Sequence, residues 1–161
     1  MTALSPDDQA HLARAVALSR EHMERGEGGP FGAVIVRDGE VLAEGWNRVT
    51  SANDPTAHAE VTAIRRACED LGTFSLPGTT LYTSCEPCPM CLAAAYWARV
   101  SRIVFANTRQ DAAAVGFDDQ LLYDEIPKPV TDRIVPTIHA PSDDARSVFE
   151  AWRTKPDKIA Y

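Results

Sequence analysis

The chain has 161 residues, 45% hydrophobic and 24% charged, which suits one soluble domain with a proper core and leaves no room for a second of ordinary size. Its formal net charge of −7 argues against a polyanionic partner, because nucleic-acid binders gain affinity from clustered Lys and Arg. No apolar run approaches the roughly 18 residues that cross a bilayer, and the first 15 residues lack the basic start and apolar stretch of an export signal, so the cytoplasm is the default location.

In chain order, Ser5 is placed to cap a first helix, with Pro6 at its first position and Asp7 and Asp8 at the positive end of its dipole. Leu12, Val16 and Met23, with Ala13 and Ala17, repeat at helical spacing and form the expected packing stripe. His11 and His22 lack a Cys or carboxylate partner in this pattern and read as surface or structural residues. "GEGGP" at 26–30 then breaks the helix. Residues 31–36 and 41–46 read as two strands joined through Asp38-Gly39, a strong hairpin signal. Phe31 opens the first strand and Asn47 closes the second, so both fall at one edge of the sheet; Phe31 reads equally well as a core side chain.

The chemistry is concentrated in the middle. "PTAHAEV" sets His58 and Glu60 two residues apart, and "SCEPCPMC" supplies Cys85, Cys88 and Cys91 at intervals of three. His58, Cys88 and Cys91 make a three-ligand zinc set that keeps a fourth position for water. Pro87 is expected to open a helix that presents both sulfurs from its first turn, and Asn53 or Asp54 with Pro55 to open another beside His58. Two thiolates cancel the charge of a zinc ion and weaken its effect on water, so a base is needed, and Glu60 is the candidate. In the competing reading Cys85 is a fourth ligand in a closed structural site, which leaves Glu60 without a task. An iron–sulfur cluster would need a further Cys where Ala95 stands, a redox pair does not explain the His-x-Glu partner, and 4 Cys without an export segment do not suggest a disulfide framework.

Val61, Ile64, Ala67, Cys68 and Leu71 form the apolar face of the His58 helix, with Cys68 as a buried small hydrophobe, Arg65 and Arg66 on a solvated face and Gly72 as C-cap. Residues 79–84 read as a strand entering the Cys segment. "LAAAYWAR" continues the second metal helix, with Tyr96 and Trp97 in core or interface positions. Residues 102–107 form the next strand, and 133–139 a further edge strand, since Pro136 is disfavoured in a central one. Ser142 caps a last helix with Val148, Phe149 and Trp152 as its packing face, and a polar tail ends at Tyr161. The expected architecture is α/β, a three-layer α/β/α sandwich around a central mixed five-stranded sheet, with ligands at the strand ends where the catalytic helices start.

"HAE" followed by "PCPMC" resembles the zinc-dependent nucleobase deaminases. "GGPFGAVIV", "NDPTAHAEVTAIR", "LYTSCEPCPMC", "YWAR", "GFDD" and the closing "AWR" with Tyr161 are similar to the bacterial guanine deaminases. The resemblance implies a cytidine-deaminase-like fold, one zinc ion per chain, Glu60 as proton shuttle, Phe31 stacking on a nucleobase and Asn47 hydrogen-bonding it. Asp119 is then the carboxylate facing the base, with Asp111 and Asp118 as alternatives, while the backbone N–H groups of Ala59 and Cys88 hold the reaction intermediate. It also implies a homodimer in which residues from about 140 cross to the partner and Tyr161 closes the partner's site. The activities expected are hydrolytic deamination of guanine or, as rivals, of adenosine in tRNA or of another amino-purine or amino-triazine.

Overall fold

The computed structural model describes residues 3–161 and falls into two compact units, the first ending at Asp119 and the second comprising Gln120–Tyr161. In the first unit, α1 (Pro6–Glu24) begins with a capping box: the Ser5 hydroxyl accepts from the Asp8 N–H, and the Asp8 carboxylate accepts from the Ser5 N–H. Its buried face is Asp8, Ala15, Leu18, Ser19 and His22, whereas Val16 and Met23 of the expected stripe are exposed. Asp8 is tolerated at 7% exposure because it accepts from the Tyr82 hydroxyl at 2.6 Å and from two Arg102 nitrogens at 2.6 and 3.1 Å.

Arg102 first, and Tyr82 second, hold the Asp8 carboxyl well below the usual carboxylate range. A carboxyl depressed in the folded state stabilises the protein above its unfolded value of about 3.9, and that contribution is lost as pH falls through the folded value. Asp8→Asn is therefore expected to lower the melting temperature at neutral pH. The gap from wild type should narrow below about pH 4 in thermal scans across pH, and a gap independent of pH would contradict the linkage.

The sheet contains β1 (Gly32–Arg37), β2 (Glu40–Trp46), β3 (Thr80–Cys85) and β4 (Arg102–Asn107) in the order β2-β1-β3-β4. β1 is antiparallel to both neighbours, and β3 and β4 are parallel. The hairpin turn places Asp38 and Gly39 at φ 52° and 81°, as the Asp-Gly pair implied. Phe31 lies just outside β1. Side chains alternate across the sheet: Val34, Val36, Tyr82 and Val104 cluster with Ala15 and Leu18 of α1, while Ala33, Ile35, Ala43 and Leu81 face the opposite layer. That layer consists of α3 (Ala59–Leu71) and α4 (Pro89–Trp97). Fully buried Ile35 and Leu81 each stabilise by about 1.5–3 kcal/mol. At Gly45 a Cβ would stand 2.3 Å from the Ala59 carbonyl oxygen, so the absent side chain lets the start of α3 lie directly on β2.

The first unit also contains α2 (Val49–Ala52) and α5 (Arg109–Ala114). The second unit contains α6 (Gln120–Glu125), a 3₁₀ turn at Val130–Asp132 and α7 (Asp143–Thr154), which Ser142 caps as expected. The α/β class is as expected, but the sheet has four strands, not five. Residues 133–139 form no strand: Pro136 removes a ladder donor, and Ile134, Val135 and Ile138 are exposed, so their strand propensity has no neighbour on which to act. The expected packing face of α7, with Val148, Phe149 and Trp152, is likewise exposed. Among the described residues no helix is long and apolar enough to cross a membrane.

Candidate metal centre and base site

His58 is the N-cap of α3 and Cys88 the N-cap of α4, both with extended backbone angles. This corrects two expectations. Asn53 ends α2 in the left-handed conformation, and Asp54 makes a turn in which the Thr56 N–H and hydroxyl donate to it at 2.8 and 2.7 Å, so its oxygen is not free to cap α3. The proline in the first turn of α4 is Pro89, not Pro87. Arg65 braces the same turn, reaching Asp54 and Thr56 at 3.1 Å each.

The two helix starts converge. His58 Nδ1 lies 3.6 Å from Cys88 Sγ and 3.4 Å from Cys91 Sγ, and the three donor atoms fall within 4.8 Å of one another. Tetrahedral zinc with ordinary Zn–S and Zn–N bonds requires N···S edges of roughly 3.6 Å, so the donor set fits the metal in spacing as well as in softness. A hydrogen bond from Cys91, followed by one with His58, pushes the Cys88 thiol down to about 4 against the cost of burial; Cys91 is pushed up by the neighbouring thiolate. A thiolate is thus favoured at the site, which draws a soft dication. Cys85 is outside the cluster. Its thiol donates to the Thr108 carbonyl at 3.5 Å, and burial pushes it up to about 11, so the closed four-ligand reading is not what the chain builds.

Glu60 stands in the first turn of α3 at 6% exposure. Burial raises its carboxyl above the usual range, the Cys88 thiolate adds to that, and a hydrogen bond with Cys91 opposes it. The acid is therefore against the metal ligands and shielded from bulk water. Ala59, first in α3, has an N–H without an acceptor inside the helix, as does any residue at that position.

Asn47 is buried, and its Oδ1 accepts from the Gly29 N–H at 3.1 Å and the Val49 N–H at 3.2 Å. Because both partners are donors, the amide orientation is fixed and its NH₂ is the end left to address a ligand. The Asn47 N–H donates to the Phe31 carbonyl at 3.0 Å, and the Arg48 N–H to the Ala57 carbonyl at 2.9 Å, beside His58. Phe31, Asn47 and the metal ligands thus gather at one end of the sheet.

Phe117 was not singled out from the sequence, although it sits in the "GFDD" segment; it meets Phe31 edge-on at 4.8 Å between ring centres. Glu86, also overlooked, accepts from the Arg109 N–H at 3.1 Å and ties the Cys segment to the start of α5. Of the three acidic candidates, Asp111 is committed to a capping box with Thr108, and Asp118 is exposed. Asp119 is half-buried; burial first, and the Cys88 thiolate as well, raise its carboxyl. Tyr161 belongs to the second unit and is exposed.

Two thiolates and an imidazole at converging helix starts, with a buried carboxylate against them, are the equipment of a zinc hydrolase that uses a general acid–base. The chain belongs to the cytidine and deoxycytidylate deaminase zinc-binding family, whose pattern matches residues 5–107. The guanine deaminase of Bacillus subtilis (strain 168) is 53% identical over 153 residues, covering 95% of this chain and 98% of that protein. An X-ray structure of guanine deaminase from Bacillus subtilis matches with a TM-score of 0.93 at 53% identity, over 95% of this chain and 98% of that one. A structure of guanine deaminase from Nitrosomonas europaea matches with a TM-score of 0.67 at 32% identity, over 81% of this chain and 71% of that one. The tRNA-specific adenosine deaminase of Bacillus subtilis (strain 168) is 37% identical over 118 residues, 73% of either chain.

Proposed function

We propose that this protein hydrolyses guanine to xanthine and ammonia. The observation that carries the substrate reading is the likeness to a guanine deaminase across 153 of 161 residues, which continues far beyond residue 107, where the family's zinc-binding region ends. His58, Cys88 and Cys91 hold zinc, which when bound supplies Lewis-acid activation of water. Glu60 takes a proton from the attacking water and passes it to N3 of the ring as the oxygen adds to C2. The carboxylate so regenerated then takes the second proton from the new C2 hydroxyl and delivers it to the departing amine; the C2–N bond breaks, and ammonia leaves behind a C2 carbonyl. The N–H groups of Ala59 and Cys88 stabilise the charge that develops in between.

Phe31 stacks on the base, and the Asn47 NH₂ donates to its acceptor edge. Asp119 accepts from the ring N–H and exocyclic amine that guanine carries on adjacent atoms. Adenine has a lone pair in place of that ring N–H and would be repelled by the carboxylate. The test is ammonia release by zinc-loaded protein from guanine, adenine, cytosine, an amino-triazine, the corresponding nucleosides and tRNA. Guanine should respond at least about 100-fold above the others, as expected when a site's buried polar groups lose their partners; a preference for adenosine in tRNA, or for a triazine, would replace this reading.

The active form is a homodimer in which segments from about residue 140 are exchanged and Tyr161 closes the partner's site. Supporting this, Val148, Phe149 and Trp152 of α7 are exposed, as are Tyr96, Trp97 and Phe105 of the first unit, apolar side chains that a partner subunit would cover. Removing residues 157–161 is expected to lower kcat by about 10–100-fold through poorer closure, with zinc content and folding retained. Full activity of the truncated protein, or a monomer in sedimentation, would contradict the exchange.

A further inference from the structure

At the end of α1 a second set of side chains converges, none of them among the metal ligands. Gly26 takes φ 73°, and the helix closes with the Gly26 N–H donating to Met23 at 2.9 Å and the Glu27 N–H to His22 at 3.0 Å. This turn aims the Glu27 carboxylate at β2. One of its oxygens accepts from the Trp46 indole N–H at 2.7 Å, and the other lies 3.1 Å from His22 Nδ1. The indole stacks on the His22 ring at 3.5 Å with an interplanar angle of 5°, while the Arg66 guanidinium stands 4.1 Å from its centre. Two groups so close to one ring centre cannot share a face, so Trp46 is sandwiched between them. Arg66 is held in turn by donating to the Glu44 carbonyl at 2.9 Å. The expectation that Arg66 is merely solvated is thereby corrected, and Trp46 is fixed from both sides.

Glu27 and Trp46 directly precede Gly28 and Asn47 in the chain. At Gly28 a Cβ would lie 2.1 Å from the Asn47 carbonyl oxygen, so these two backbones are in close contact, and the Gly29 N–H holds the Asn47 amide oxygen. We propose that Glu27 is a positioning residue for the nucleobase: its bond to Trp46 clasps the Gly28-Gly29 turn onto Asn47 and so fixes the amide that addresses the substrate. The proposal rests on the guanine reading above for its kinetic part only. Without the clasp the turn lifts from Asn47, the amide loses one of its two backbone donors, and its NH₂ is no longer held toward the base.

The test uses zinc-loaded full-length protein. Glu27→Ala should raise KM for guanine about tenfold while kcat changes less than about threefold, because the reacting centre is untouched. Trp46→Phe keeps the sandwich but removes the indole donor and should behave alike; Glu27→Gln retains an acceptor for that donor and should restore KM. In the presence of Asn47→Ala, adding Glu27→Ala should change KM by less than about twofold, since the two act through one contact. Hydrogen exchange at the Gly29 amide should be faster in Glu27→Ala and Trp46→Phe than in wild type. An unchanged KM in both single variants, additive effects with Asn47→Ala, or unaltered Gly29 exchange would overturn the proposal. A wild type inactive on guanine would remove the substrate reading, and Gly29 exchange would still decide the clasp.

Discussion

Glu60→Gln is expected to retain one zinc per chain and lose about 10²–10⁴-fold in kcat, the usual contribution of a positioned general acid–base. The size follows from the donor set. Two thiolates neutralise a dication, so activation of water depends on the neighbouring carboxylate more than it would beside three imidazoles. Burial lifts the Glu60 carboxyl above the usual range, the direction that suits the proton shuttle proposed for it. Gln preserves shape and hydrogen bonding to the surroundings but cannot carry the proton. Turnover within about tenfold of wild type would assign the shuttle to another group.

The second large effect is on the metal. Cys91→Ala removes one corner of the triangle made with His58 and Cys88, and zinc affinity should fall by more than the roughly 10–100-fold typical of losing an outer-shell partner, with activity falling in parallel. Cys85→Ala is the matched control: its thiol donates to Thr108 and lies outside the triangle, so zinc content should stay at one per chain. Zinc removal should also lower the melting temperature of wild type, because a ligand present at about 1,000 times its Kd stabilises by about 4 kcal/mol. Zinc lost in the Cys85 variant but kept in the Cys91 variant would mean that the donor set is misassigned.

The metal residues were legible because their spacing and chemistry are local: His-x-Glu and Cys-x-x-Cys lie within single turns, and the helix starts that carry them are set by neighbouring residues. Even there the sequence misplaced the caps. Asp54 is a good capping residue by type, yet Thr56 takes up its oxygen, and His58 and Cys88 assume the cap positions themselves. The buried face of α1 was misread for a different reason. Apolar periodicity selects Val16 and Met23, whereas the helix actually buries Asp8 and His22, whose partners Tyr82, Arg102 and Trp46 are distant in sequence. The fifth strand failed because propensity at 133–139 does not reveal whether a neighbouring strand exists. The Glu27–Trp46 contact was likewise invisible: each residue is ordinary in its own segment, and only the close seating of Gly28 on Asn47 gives the pair meaning.

X-ray absorption at the zinc edge of the purified protein tests the open metal site most directly. Two sulfurs at about 2.3 Å, one imidazole nitrogen and one further light atom are the predicted shell. A shell of three sulfurs and one nitrogen would show the fourth corner filled by protein, and the hydrolytic role of the site would have to be abandoned.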